Sequence, residues 1–361
     1  MATPAGNLPP VGQYFGRYFV DYKALYTQVV EAIETINRAP AFWFVSKFVE
    51  RGDKLILRHF ERSMEFALSP EYSTPGMQRL RFWTAPIPLY DYKAGFGFSY
   101  EAWQDLTLDE AQRTIQEAFR ADERLQAKAA YAPMLSDGNT AHGAVHGILT
   151  YSSFWNGTTS GLTPPPYKQN VFTSDHTHYN YRNASTITLA DITAMLKDIQ
   201  EHGVENISPQ NAFLISSALG TQKIKDIMPI VNVQNYFTSP LPPAATVSVQ
   251  GIPEGGLDLM GFKVLTDQMV ATTDTAGNSN VQYYLAVSTI RPPVYRREPA
   301  NPQAKGLQMI KSNVTDNPFC GAYFLRRMGH VVQEKGIGTV LYVNSGATAY
   351  VNPAYTFEEI I

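Results

Sequence analysis

Arg81-Phe82-Trp83-Thr84-Ala85-Pro86-Ile87-Pro88-Leu89-Tyr90-Asp91-Tyr92-Lys93-Ala94-Gly95-Phe96-Gly97-Phe98-Ser99-Tyr100 is the stretch on which the fold turns. Seven of its twenty residues are aromatic and three are charged. Pro86 and Pro88 remove ladder donors, which confines a strand here to a sheet edge. The neighbouring sequence offers no apolar surface for these rings, and segments of this kind are usually covered by another subunit. Phe82, Trp83, Tyr90, Tyr92, Phe96 and Phe98 are therefore the expected assembly interface. The first twenty residues add Tyr14, Phe15, Tyr18 and Phe19 between prolines and glycines and read as an arm that lies on something.

Working outward, the stretch feeds a long helix. Thr107 and Glu110 form a capping box. Leu108, Ala111, Ile115, Ala118, Phe119 and Leu125 then make an apolar stripe interrupted by Asp122, and Pro133 with Asp137-Gly138-Asn139 ends it. The stripe lasts about three heptads, which fits a helix packed on a sheet better than a coiled coil. Upstream, Asp21 caps a helix with Leu25, Val29, Val30, Ile33 and Ile36 on one face. A second, mostly helical piece is expected over Phe42 to Phe66. Downstream, Ser136 to Arg182 is long, polar and irregular, the mark of a functional loop or one held by a partner. Thr188 and Asp191 cap a helix carrying Ile192, Met195, Leu196 and Ile199, which Gly203 stops. Ala212–Ser216 reads as a buried strand and Gly220 to Met228 as a short helix. The remainder is mainly β, with strands at Val247–Val249, Gly261–Leu265, Gln282–Ser288 and Val294–Arg296. Val331-Val332 and Thr339–Val343 are expected to close it as a hairpin.

Composition narrows the function. The 361 residues suffice for a sizeable core. Charged residues make up 17% and aromatics 12%, against roughly 25% charged in typical soluble domains. Few charges and many rings are what interface cores show, and equally what a large hydrophobic core shows. A net charge of -3 argues against a dedicated nucleic-acid reader, though not against weak contact with DNA along a container wall. Cys320 is the single cysteine, which excludes an internal disulfide and a cysteine-based zinc site. Met1-Ala2-Thr3-Pro4 lacks the pattern of a signal peptide, and no apolar run is long enough for a membrane span.

The order of these elements resembles the major capsid protein of tailed bacteriophages, the Hong Kong 97-type capsid fold shared with encapsulin shells. The helices up to Phe66 look like the amino-terminal arm. Met77 to Leu106, with Gly95-Phe96-Gly97-Phe98-Ser99-Tyr100-Glu101-Ala102-Trp103, looks like the returning strand of the extended loop, and Thr107 to Ala130 like the spine helix. Leu189-Ala190-Asp191-Ile192 through Gly203, then Ala212–Ser216 and Gly261-Phe262-Lys263-Val264-Leu265, resemble the axial domain. Tyr323-Phe324-Leu325-Arg326-Arg327-Met328-Gly329-His330 resembles the final peripheral strands. The resemblance implies an α+β chain divided as 1–70 (arm and helices), 71–106 (extended loop), 107–186 with 306–361 (peripheral domain with spine helix) and 187–305 (axial domain). It implies self-assembly through hexamers and pentamers into an icosahedral shell around double-stranded DNA, touched without sequence preference. The location implied is the virion, with host cytoplasm during assembly, and no membrane. Portal and decoration proteins are further partners implied, and, since no charged leader precedes the arm, a separate scaffolding protein or none. An encapsulin-like compartment is the near alternative. Some relatives join subunits through a Lys–Asn bond, but for Lys93 solvation is the plainer role.

The chemistry that competes with this reading is a histidine cluster. His142 and His146, with His176, His178 and Asp175, could hold zinc or a non-haem iron in a metal-dependent enzyme. His142 and His146 lie among glycines, so they are not a helical ligand pair. His176 and His178 alternate, so on an extended segment both point the same way. Loop histidines are more often solvated, and no Gly-x-Ser-x-Gly elbow or phosphate-binding glycine loop accompanies them. No enzymatic activity and no cofactor are expected.

Overall fold

Long-range strand pairing, more than helix packing, sets where every candidate residue lies. The computed structural model describes residues 12–14, 17–19, 22–38, 47–60, 82–95, 108–138, 153–157, 163–168, 170–227, 258–310 and 322–355. Its elements are Gly12–Tyr14 (β1), Arg17–Phe19 (β2), Tyr22–Arg38 (α1), Val49–Gly52 (β3), Ile56–Phe60 (β4), Phe82–Pro86 (β5), Tyr90–Gly95 (β6) and Leu108–Leu135 (α2). Then come Tyr179–Asn183 (β7), Leu189–Gln200 (α3), Ala212–Ser216 (β8), Ala218–Ile227 (α4), Asp258–Leu259 (β9) and Phe262–Thr266 (β10). Gln282–Ser288 (β11), Val294–Arg297 (β12), Leu307–Ile310 (β13), Tyr323–Val332 (β14) and Gly338–Asn344 (β15) complete it. The mixture is α+β, as the sequence implies.

A six-stranded sheet of order β7-β15-β11-β8-β10-β9 carries the core. Alternation along its strands sorts the side chains to two covered faces. Phe213, Ile215, Tyr283, Leu285, Val340 and Tyr342 meet Ala127, Tyr131, Met134 and Leu135 of α2 on one side. Leu214, Tyr284, Ala286, Leu341 and Val343 meet Ile192, Met195 and Ile199 of α3 and Ile224 of α4 on the other. Burial on both faces explains why β8 and β11 read as unbroken apolar runs. Each such side chain contributes about 1.5–3 kcal/mol of transfer free energy. The start of α3 is fixed by the capping box, with the Thr188 N–H donating to Asp191 Oδ2 at 2.7 Å. Its end is fixed by Gly203 at φ +92°, a left-handed position that costs only glycine nothing.

The second sheet runs β13-β14-β12-β3, with β6 also paired to β14. Spine helix α2 lies on β14. The Phe119 ring sits 5.9 Å from Phe324, and Ile115 is buried. Asp122, which breaks the apolar stripe in the sequence, is buried here and takes a two-pronged ion pair from Arg326 on β14. Gln126 Nε2 donates to the same carboxylate at 2.7 Å, and Gln126 Oε1 accepts from Arg296 Nη1 at 2.9 Å. The interruption is thus the polar fastening of helix to sheet. Asn37 ties α1 to β13 in the same manner, accepting from the Leu307 N–H and donating to the Leu307 carbonyl, both at 2.8 Å.

Two expectations are corrected. Phe42 to Phe66 is not helical where described beyond Phe48: β3 pairs in parallel with β12, and β4 pairs with β5. Local charge spacing reads as helical there, but pairing of β3 with β12, more than two hundred residues away, and of β4 with β5 overrides it. Helix α2 runs past Pro133 to Leu135 and stops short of Asp137-Gly138-Asn139, within the stop that the sequence names. The carbonyls left open at the end of the helix find other donors: Tyr179 Oη donates to Met134 O and Tyr350 Oη to Leu135 O. Nor do Val331-Val332 and Thr339–Val343 form a hairpin. β14 pairs with β12 and β15 with β11, in different sheets. Each sheet therefore draws strands from both sides of residue 306. Val247–Val249 lies outside the described residues.

Candidate functional site

Two regions carry the candidate residues. The first is the loop. β4 and β5 pair antiparallel, Ile56 opposite Pro86 through Phe60 opposite Phe82, and among the described residues they join no other sheet. This two-stranded ribbon is rooted by Leu57 and Ile87, which pack on Tyr295 and Val331. The Arg297 guanidinium donates to the Ile87 carbonyl. At the root, Leu55 and Ile56 are 60% and 52% exposed, adjacent apolar side chains left largely uncovered by the described residues. Pro88 passes directly over Gly329 of β14, where any Cβ would collide with the Pro88 carbonyl.

The aromatics expected at the interface divide accordingly. Tyr90 and Tyr92 do find cover within the chain, against the expectation that the stretch has none. β6 pairs with β14 from Tyr90–Met328 to Gly95–Tyr323. Both rings are half-buried, and burial pushes the Tyr90 hydroxyl up to about 12 and the Tyr92 hydroxyl higher still, with Tyr90 a lesser cause there. Local sequence could not show this, because β14 lies more than two hundred residues away. Phe82 and Trp83 stand on β5, and Tyr14, Tyr18 and Phe19 on the β1–β2 pair, Tyr14 opposite Arg17. Their side chains lie outside the described residues, as do Phe15, Phe96 and Phe98 entirely.

The second region is a histidine cluster, differently composed from the one the sequence proposes. His142 and His146 lie outside the described residues, and Asp175 is exposed and apart from the cluster. His176 and His178, just before β7, meet His202 and Glu201 at the end of α3. The three Nε2 atoms are separated by 3.0 Å (176–202), 3.1 Å (176–178) and 2.9 Å (178–202). Glu201 Oε1 lies 3.3 Å from His176 Nε2 and 3.9 Å from His202 Nε2. His178 Nδ1 is 2.6 Å from the Gly338 carbonyl on β15. A carbonyl only accepts, so Nδ1 carries the proton and Nε2 presents its lone pair.

Several elements converge to hold these rings. The His178 N–H donates to Trp155 O at 2.7 Å, and Gly157 N–H to His176 O at 2.9 Å. Phe172 stacks on His202 with centroids 4.5 Å apart, and Trp155 lies across the other side at 6.3 Å. Burial lowers all three imidazoles. His178 falls well below the usual range, His202 to about 3 with His176 adding to it, and His176 falls less. Burial, then Asp198, raises Glu201. The rings are neutral at pH 7 and able to act as ligands. The sequence reading missed Glu201 and His202, and the available signal was the adjacent pair of ligand types immediately before a helix-ending glycine.

No family model matches the sequence, and no curated protein matches it. Solved structures do. A chain from Mycobacterium phage Patience is 19% identical, covering 92% of this chain and 91% of its own, with a TM-score of 0.59. The capsid of an empty GTA particle is 16% identical, covering 85% of this chain and 90% of its own, with a TM-score of 0.50. The chain has the fold of a phage-type capsid protein.

Proposed function

We propose that this protein is the major capsid protein of a tailed bacteriophage, a structural subunit that self-associates through hexamers and pentamers into an icosahedral shell enclosing double-stranded DNA. The observation that carries the reading is the fold likeness running through nearly the whole chain, with the long helix α2 and the separate β4–β5 ribbon. The ribbon gives assembly its means. Leu55 and Ile56 at its root offer apolar area to a neighbour, and the β4–β5 pair extends contact beyond the subunit's own sheets. Individual contacts of this kind are weak, but a closed shell makes many at once. The inner wall meets DNA through sequence-independent contacts. Portal, scaffolding and decoration proteins belong to the same reading, with the virion as destination and host cytoplasm as the place of assembly. Among the described residues no helix is long and apolar enough to cross a membrane.

Negative-stain imaging of the expressed protein tests the proposal. Closed, uniform particles are expected, and a subunit that stays monomeric at high concentration with every accessory protein supplied would overturn it. Nucleic acid inside phage-derived particles distinguishes a phage head from a compartment filled with protein cargo.

A further inference from the structure

Three imidazole nitrogens, each about 3 Å from the other two, cannot be explained by hydrogen bonds alone. His178 Nε2 is bare, because Nδ1–H is committed to Gly338. If His176 and His202 both carry a proton on Nε2, two N–H groups face each other. If either is bare, two lone pairs face each other. Every assignment leaves one like-with-like pair in a site sheltered from water, where unpaired polar groups are costly. A cation at the centre removes the conflict. A point roughly 2 Å from all three nitrogens, the usual length of a metal–imidazole bond, lies just out of their plane.

We propose that His176, His178, His202 and Glu201 bind one divalent first-row transition ion, zinc in the first place. Three imidazoles and a carboxylate without sulfur are a borderline donor set of the kind zinc accepts, and calcium and magnesium prefer oxygen. Gly338 O orients His178 as an outer-shell carbonyl orients many metal-bound histidines. Four protein ligands fill a tetrahedron, which marks a structural site without an open position for substrate. The ion would fasten the irregular segment before β7 to the end of α3, over the edge of the six-stranded sheet. His176 and Glu201, each 17% exposed at the side chain, provide the way in. This inference rests on geometry alone and stands or falls apart from the capsid reading.

The test uses the full chain, stripped with a chelator and dialysed. Zn²⁺ titration by calorimetry should show one ion per chain, and Co²⁺ should give the intense visible bands of a tetrahedral site. Zn²⁺ should also raise the melting temperature. Losing even an outer-shell partner typically costs roughly 10–100-fold in affinity, so His176→Ala and Glu201→Gln should each weaken binding at least that much. Both lie on the open side and should keep the circular dichroism of the parent. A folded parent chain that takes up neither Zn²⁺ nor Co²⁺ would overturn the proposal. So would unchanged affinity in a folded His176→Ala/Glu201→Gln double variant.

Discussion

At the scale of single residues, buried charge is the main liability and the main fastening. Removing Asp122 leaves Arg326 without its carboxylate in a buried position, which typically costs about 3–5 kcal/mol. Asp122→Ala should lower the melting temperature of unassembled subunits accordingly, whereas Arg113→Ala, exposed on the same helix, should stay within about 0.5 kcal/mol. Equal effects would mean that the ion pair does not anchor α2. His330 on β14 makes a pH prediction. Burial, then Arg296 and Arg326, hold it well below its ordinary value. The folded state stays neutral while the unfolded state takes up a proton below about pH 6.5, so stability falls as pH falls through that point. His330→Gln should flatten the acid arm of the melting-temperature profile. An unchanged slope would place the acid lability elsewhere.

At the scale of elements, the ribbon separates assembly from folding. Replacing residues 61–81 with a short Gly-Ser turn keeps β4, β5 and the Leu57–Ile87 root. Circular dichroism and the melting temperature should therefore be retained, while electron microscopy should find no closed particles. A deletion reaching into Tyr90–Lys93 removes β6 from the second sheet, and loss of the fold is expected instead. Phe119→Ala on α2 should cost roughly 2 kcal/mol, less than the 3–5 of a fully buried Phe, because its ring is only half-buried. Elements specified by neighbours in sequence were legible. The Thr188–Asp191 capping box, the Ile192–Ile199 stripe and the Gly203 stop lie where the residues place them, and β8 and β11 match their apolar runs. Elements specified by distant partners were not. β3 resembles helix until β12 is known, and Glu201 and His202 join the histidines only because α3 folds back beside β7.

At the scale of the molecule, Leu55 and Ile56 test whether exposed apolar area at the ribbon root serves the shell. Leu55→Asp/Ile56→Asp removes that area without touching either core, so the subunit should melt as before and sediment as small species. Normal particles from this variant would move the interface elsewhere. The six-stranded sheet has a consequence for manufacture. Its strand Gly338–Asn344 slots between Tyr179–Asn183 and Gln282–Ser288, so a nascent chain on the ribosome holds a divided sheet until residue 344 has cleared the exit tunnel. Many half-made copies crowd one message at high local concentration, yet none can present a finished subunit. The six-stranded sheet is therefore complete only once this late strand has been made.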